Sequence, residues 1–215
     1  GSVEKDQKEW KKTEDAKARA KAYLSETVGS TILDKDGKVV NASAATTAAY
    51  SSMVDKMKGH TEQQQEALKK YNSTQHDLFV AQKDNQTINQ IRTAIETQMN
   101  ASTGNVKTKL GDILAQMDLG GITSISDLDT ALNSSGVSTT FIDAITGAHG
   151  VANNLSSSNL GSVASYSSAV DSAQEAFSRA DSTLNDVIDK ATSDQKIVLK
   201  EARTASKNMN EANTK

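Results

Sequence analysis

The sequence contains no cysteine and no proline in 215 residues. Without cysteine the chain can form neither disulfide bonds nor thiolate metal sites. This absence does not fix the cellular compartment, but it is common among exported bacterial proteins and favours a secreted or bacterial cell-surface location. Without proline, nothing in the sequence blocks the backbone hydrogen bonds of a very long helix.

Aromatic residues, net charge and long apolar runs are also scarce. Aromatic side chains make up 4% of the sequence, so long helices packed along alanine-rich seams suit it better than one large globular core. The net charge of −3 gives no overall field that would recruit nucleic acid or anionic lipid. No apolar run approaches the roughly 18 residues needed to cross a membrane. We therefore expect protein partners, with no nucleic acid, no small-molecule substrate and no membrane span in this chain.

Sequence signatures of catalysis are missing as well. The motifs HExxH, GxxxxGK[ST] and GxSxG do not occur. The histidines lack a second ligand at metal-site spacing: His60, His76 and His149. Asp34 and Asp36 could open a calcium loop, but Ala45 stands where the bidentate carboxylate would be required. We expect no catalytic residues, no cofactor, no metal site and no enzymatic activity.

What the sequence does contain is an apolar residue at every seventh position over its last fifty residues. This row consists of Val163, Val170, Phe177, Leu184, Ala191, Val198, Ala205 and Ala212. A mostly apolar companion row follows three or four positions further on. Such rows form the seam of a long helix, here from about 160 to 213. The strict period implies a left-handed supercoil with a partner helix.

A second long helix is predicted over residues 44–100. Its seam includes the apolar residues Met57, Tyr71, Leu78, Ile88 and Ile95. About half of its seam positions are polar, which fixes register at a cost in stability, and Gly59 and His60 mark a weak point. Since this helix matches the last one in length, we expect the two to pair as an antiparallel coiled-coil hairpin.

Residues 101–159 lack the seven-residue pattern and would let the chain turn back. Glycine- and serine-rich stretches separate three predicted short helices, at 106–117, 126–134 and 138–147. The apolar residues of this insert could form a small core: Val106, Leu110, Ile113, Leu114, Leu119, Ile122, Ile125, Leu128, Leu132, Phe141, Ile142 and Ile145.

The first 43 residues complete the predicted fold. Residues 3–28 read as an amphipathic helix anchored by Trp10, and Asp36-Gly37 between β-branched pairs predicts a short β-hairpin over 31–40. The prediction is an all-α fold with four parts, namely an N-terminal helix with a short β-hairpin (1–43), a long coiled-coil helix (44–100), a small helical insert at the tip of the hairpin (101–159) and a long C-terminal coiled-coil helix (160–215).

The seam of the last helix changes from bulky to small residues after Leu184. Asp194 and Glu201 also occupy the companion row there, so pairing within the chain should weaken. A helix from a partner protein could take its place in the groove. The candidate partner-binding residues are Ala191, Val198, Ala202, Ala205 and Met209. The alternative is that the two long helices merely pack on each other.

The order of these parts, together with a cysteine-free sequence rich in serine, threonine, asparagine and alanine, resembles a known group of proteins. The stretches 159–177 (NLGSVASYSSAVDSAQEAF) and 64–78 (QQEALKKYNSTQHDL) are examples of this composition. They resemble the needle-tip proteins of bacterial type III secretion systems, and the soluble coiled-coil segment that precedes the membrane-inserting part of the hydrophobic translocators.

The resemblance implies a non-enzymatic role in virulence. A tip protein caps the needle and scaffolds the translocon, whereas a translocator segment binds a chaperone before export and its fellow subunits afterwards. Two alternatives come from other classes. An intracellular coiled-coil adaptor or tether would have a similar sequence. A helical pore-forming toxin would need an apolar tongue, for which residues 101–159 are too polar.

Overall fold

A computed structural model describes residues 31–33, 39–41 and 59–214 of the chain. This part of the protein is mostly helical and belongs to the all-α class. Its helices are α1 (Glu62–Asn100), α2 (Gly104–Leu119), α3 (Ile125–Asn133), α4 (Thr139–Thr146), α5 (Val163–Asp189) and α6 (Ser193–Thr214), with a short 3₁₀ helix at Val151–Asn154. Two short strands, β1 (Thr31–Leu33) and β2 (Val39–Asn41), pair with each other.

Several sequence predictions fall outside the described residues. They are the N-terminal helix with Trp10, the Asp36-Gly37 turn, and the first part of the second long helix, with the seam residue Met57. The side chains of Ala205 and Met209 lie outside the described set as well.

The predicted continuous helix over 44–100 is wrong at residues 59–61, which form a turn and a bend before α1 begins at Glu62. The cause is a capping box at Thr61. The Gln64 amide donates to Thr61 Oγ1 at 3.1 Å, and the Thr61 amide donates to Gln64 Oε1 at 3.0 Å. This reciprocal pair satisfies amides that a helix start leaves without partners.

The predicted single helix from 160 to 213 is also wrong. Helix α5 ends at Asp189, and α6 begins at Ser193. A second capping box starts α6, since the Thr192 amide donates to Gln195 Oε1 at 3.2 Å and the Gln195 amide donates to Thr192 Oγ1 at 3.3 Å. The Thr-x-x-Gln sequence therefore stops one helix and opens the next.

Helix α6 doubles back on α5. The guanidinium of Arg203 donates a hydrogen bond to Asn185 Oδ1. In one straight helix these residues would be about 27 Å apart at 1.5 Å per residue. The contact is therefore possible only because the chain reverses at residues 190–192.

The chain divides into two compact units. Among the described helices, the first unit holds α1 as far as Phe79, α5 from Ala173, and α6. The Tyr71 and Phe177 rings meet at a centroid distance of 5.3 Å, and Gln64 shares a cleft with Val187. This order of contacts makes α1 and α5 antiparallel here, so that α6 runs parallel to α1. The core consists of Ala67, Leu68, Tyr71, Leu184, Val187, Ile188, Leu199 and Ala202.

The second unit holds α2, α3 and α4 together with the remainder of α1 and α5. The three short helices lie where the sequence predicts them, with ends that differ by no more than two residues. Ser124 and Ser138 cap α3 and α4 through their hydroxyls. Gly120, at φ +79°, ends α2 in the left-handed conformation that glycine adopts without strain.

The insert does not form a core by itself, because its side chains share one cluster with Ile88, Ile91 and Ile95 of α1. The members from the insert and its flanks are Leu110, Ile113, Leu114, Met117, Ile122, Leu128, Leu132, Ile142, Ile145, Ala152, Leu155 and Leu160. Val106, Ile125 and Phe141 are half-buried against this cluster. Leu119 was predicted to join it but is 79% exposed, because the buried stripe of α2 ends at Met117 and Leu119 lies on another face.

Candidate protein-interaction site

Four of the predicted partner-binding residues lie on α6 and Ala191 lies in the turn before it; α6 already has a place within the first unit. Ala202 is buried in its core, while Ala191 and Val198 are half-buried against it. Among the described side chains of α6, the most buried apolar one is Leu199, which has no exposed surface and lies off the seven-residue row. Helix α6 therefore packs as a third helix against α1 and α5.

The predicted seam residues differ in burial. Tyr71, Leu78, Ile88, Ile95 and Leu184 are buried. Val163, Val170, Phe177, Ala191 and Val198 are half-buried. The predicted seam residues on α1 are thus all buried, whereas Leu184 is the one buried member of the later row among the described residues, and its other described members lie at the edge of the apolar contacts.

Side-chain hydrogen bonds join α1 to α6 where both helices begin. Gln64 Nε2 donates to Gln195 Oε1 at 3.1 Å, so the glutamines of the two capping boxes bind each other. The ring Nε2 of His60 lies 3.4 Å from the backbone oxygen of Gln195. His60 and Gln64 are both buried. The two helix starts are therefore held together by polar groups rather than by apolar packing.

A second polar layer joins the same helices further along. The Ser206 hydroxyl donates to Asn72 Oδ1, and Asn210 Nδ2 donates to Gln75 Oε1 at 2.8 Å. All four side chains are buried. Polar pairs at interior positions fix the register of two helices and add less stability than apolar side chains in the same place.

Between these two polar layers lies a short apolar patch. From α6 it contains Leu199 and Ala202, which pack in the cluster formed with Ala67, Leu68 and Tyr71 of α1 and with α5. We call the surface of α1 and α5 that receives α6 the α6 groove. Its described part is apolar in the middle and hydrogen-bonding at both ends, which matches the apolar turn and the flanking polar residues of α6.

The described residues offer no comparable site for catalysis or metal binding. They contain no group of three or more metal-ligating side chains. Shifted pKa values occur at the ion pair of Arg92 with Asp118, at Asp127 and at Tyr166. The hydrogen bond from Arg92 lowers the pKa of Asp118, hydrogen bonds from Thr123 and Ser124 lower that of Asp127, and burial raises that of Tyr166. These groups belong to the second unit and do not line the α6 groove.

Some residues of this site could have been found in the sequence. Thr61-x-x-Gln64 and Thr192-x-x-Gln195 both have the capping-box spacing that marks a helix start, whereas the seven-residue row predicts a helix that continues through Thr192. The pairing of Asn72 with Ser206 carries no such signal, because it depends on α6 doubling back.

Comparisons with known proteins found no matching family model, no matching curated protein and no matching solved structure. A search of the described helices for a candidate membrane span found none that is long and apolar enough.

Proposed function

We propose that this chain is a non-enzymatic assembly protein in which α6 is an exchangeable helix that can give up its groove to a partner protein. The observation that carries the proposal is the composition of the α1–α6 interface, where Leu199 and Ala202 are the buried apolar contribution of the described α6 side chains. Fully burying one leucine contributes about 1.5–3 kcal/mol. A side-chain hydrogen bond adds only about 1 kcal/mol, because water replaces it when the helices separate.

The polar layers give the exchange its specificity. A competing helix must offer a hydrogen-bonding group opposite Gln64 and others opposite Asn72 and Gln75, at the spacing with which Gln195, Ser206 and Asn210 meet them. A helix with apolar residues in these places would leave buried polar groups without partners, at about 1–3 kcal/mol each. The groove therefore selects its occupant by both pattern and register.

The biological setting we propose is a bacterial secretion apparatus, with the chain acting as a needle-tip protein or translocator segment, secreted or at the bacterial cell surface. The sequence resemblance supports this setting. The antiparallel contact of α1 with α5 in the first unit supports the coiled-coil hairpin on which the resemblance rests. The partners would be other subunits of the apparatus or a chaperone.

Hydrogen exchange tests this proposal directly. In the purified chain, α6 should exchange faster than the part of α5 beyond Ala173, because fewer of the described side chains of α6 are apolar and buried. Adding each protein encoded beside this gene should slow exchange in α6 for one of them, and needle or export subunits among these neighbours would support the secretion setting. Equally strong protection of both helices in the free chain would refute an exchangeable α6. No protection of α6 by any neighbouring gene product would refute the proposed partners.

A further inference from the structure

The apolar row that repeats every seven residues continues without a change of phase across a turn. Leu184, Ala191 and Val198 lie on one period, although residues 190–192 separate α5 from α6. In the folded-back form this row has no reason to continue, because a turn resets the face that α6 presents. The face actually buried is centred on Leu199, Ala202 and Ser206. The row suits a straight helix better than it suits the turn.

The residues of the turn can also become helical. Lys190, Ala191 and Thr192 include neither glycine nor proline, and lysine and alanine are good helix formers. What ends α5 here is the capping box of Thr192 and Gln195. In a straight helix the amides of these residues would bond to backbone oxygens one turn earlier instead. The turn and the straight helix therefore satisfy the same amides in two ways.

We propose that residues 190–192 are a hinge that straightens, and that the released α6 fills the α6 groove of a second copy of this chain. The inference rests on the proposed function in one respect, since α6 must be able to leave its own groove. The inference goes beyond the proposed function because it names a second copy of this chain as the partner whose α6 fills the groove.

A second copy fits the vacated groove because every contact is reproduced. Gln195 of one copy meets Gln64 of the other, Ser206 meets Asn72, and Leu199 re-enters the same apolar patch. Only the hinge differs between the monomer and such an exchanged dimer. Exchange of an identical element is a low-cost route to dimers, particularly where a short hinge joins it to the rest of the chain.

Two substitutions at the hinge should move the equilibrium in opposite directions. Thr192→Ala removes the capping hydroxyl that favours the turn, and it should raise the dimerisation constant at least fivefold. Ser193→Pro should lower it more than tenfold. Residue 193 is the first residue of α6, where proline is well tolerated, whereas in a straight helix the proline ring would clash with the preceding turn. Light scattering after size-exclusion chromatography measures both effects.

Cysteine trapping identifies which helix is exchanged, and the cysteine-free chain gives it a clean background. Asn72 and Ser206 contact each other between α1 and α6 through short side chains, so the double variant Asn72→Cys/Ser206→Cys should form a disulfide within one monomer. When the two single variants are mixed, incubated at high concentration near the melting temperature, cooled and oxidised, exchange should give a disulfide-linked dimer. Each single variant oxidised alone measures non-specific dimers.

The outcomes separate this inference from the proposed function. A mixed-variant dimer above the single-variant background that increases with Thr192→Ala and disappears with Ser193→Pro supports exchange through the hinge. Absence of that dimer, although the double variant cross-links within a monomer, overturns it, as does a dimer that Ser193→Pro leaves unchanged. In either of these cases, rapid hydrogen exchange of α6 with protection by another gene product would still support the proposed function.

Discussion

Leu199 and Ile197 lie two residues apart on α6 and test where this helix packs. Leu199 has no exposed surface, whereas Ile197 is 59% exposed. Substitution by alanine removes the same number of carbon atoms from each. For Leu199, the transfer of these atoms from the core to water costs about 2–2.5 kcal/mol, and the cavity left behind extends the range to about 2–5 kcal/mol. For Ile197, the loss should stay within about 0.5 kcal/mol, because the position is mostly exposed and alanine is the better helix former.

Urea unfolding followed by circular dichroism measures both free energies, and hydrogen exchange shows whether the loss is localised in α6. The comparison is discriminating because Val198 belongs to the seven-residue row. If the chain formed one straight helix paired along that row, Leu199 and Ile197 would flank the seam equally and their alanine variants would lose similar stability. Similar losses, or a larger loss for Ile197→Ala, would refute the doubled-back position of α6.

Three further predictions concern polar groups. Thr87→Val should stabilise the protein by about 1 kcal/mol in urea unfolding, because the buried Thr87 hydroxyl has no hydrogen-bond partner among the described residues; the exposed Thr93→Val should give no such gain. Ser206→Ala should cost about 1–2 kcal/mol in the same assay, since it removes a donor from a buried polar layer, and an unchanged midpoint would contradict the role given to that layer. Arg92→Gln should raise the pKa of Asp118 towards its ordinary value, as read by NMR titration, because the hydrogen bond from Arg92 lowers it. The stabilisation from this pair is complete above a pH of about 4 and is lost as the pH falls through the lowered pKa, so an Asp118 titration that Arg92→Gln leaves unmoved would contradict the pairing.

The second unit follows the sequence closely, because its signals are local. Glycine and serine separate its helices, the serine caps stand directly before α3 and α4, and the apolar residues of each short helix form one stripe. Leu119 departs from the prediction because it is the last residue of α2, where the stripe has already ended. The contribution of α1 to this core could not be predicted from local sequence signals. Ile91 lies off the predicted seam, and residues distant in the sequence bury it.

The first unit shows why a periodic pattern alone can mislead. The row through Ala191 and Val198 predicts a continuous helix, while Thr192 and Gln195 encode a helix start at the same place. Two local signals therefore compete, and the contacts of α6 with α1 decide between them. Those contacts join residues more than 130 positions apart in the chain, as Gln64 and Gln195 illustrate, and no local pattern reports them.

The parallel course of α1 and α6 also has an electrostatic consequence. Both helices begin beside each other, near the residue where α5 ends. A helix carries roughly half a positive charge at its first turn and half a negative charge at its last, so two positive ends and one negative end share this corner of the first unit. Glu62 and Asp194, in the first turns of α1 and α6, supply opposing negative charge. Straightening the hinge would join the last turn of α5 to the first turn of α6 and would remove one negative and one positive helix end together, so that only the positive end of α1 would remain at this corner.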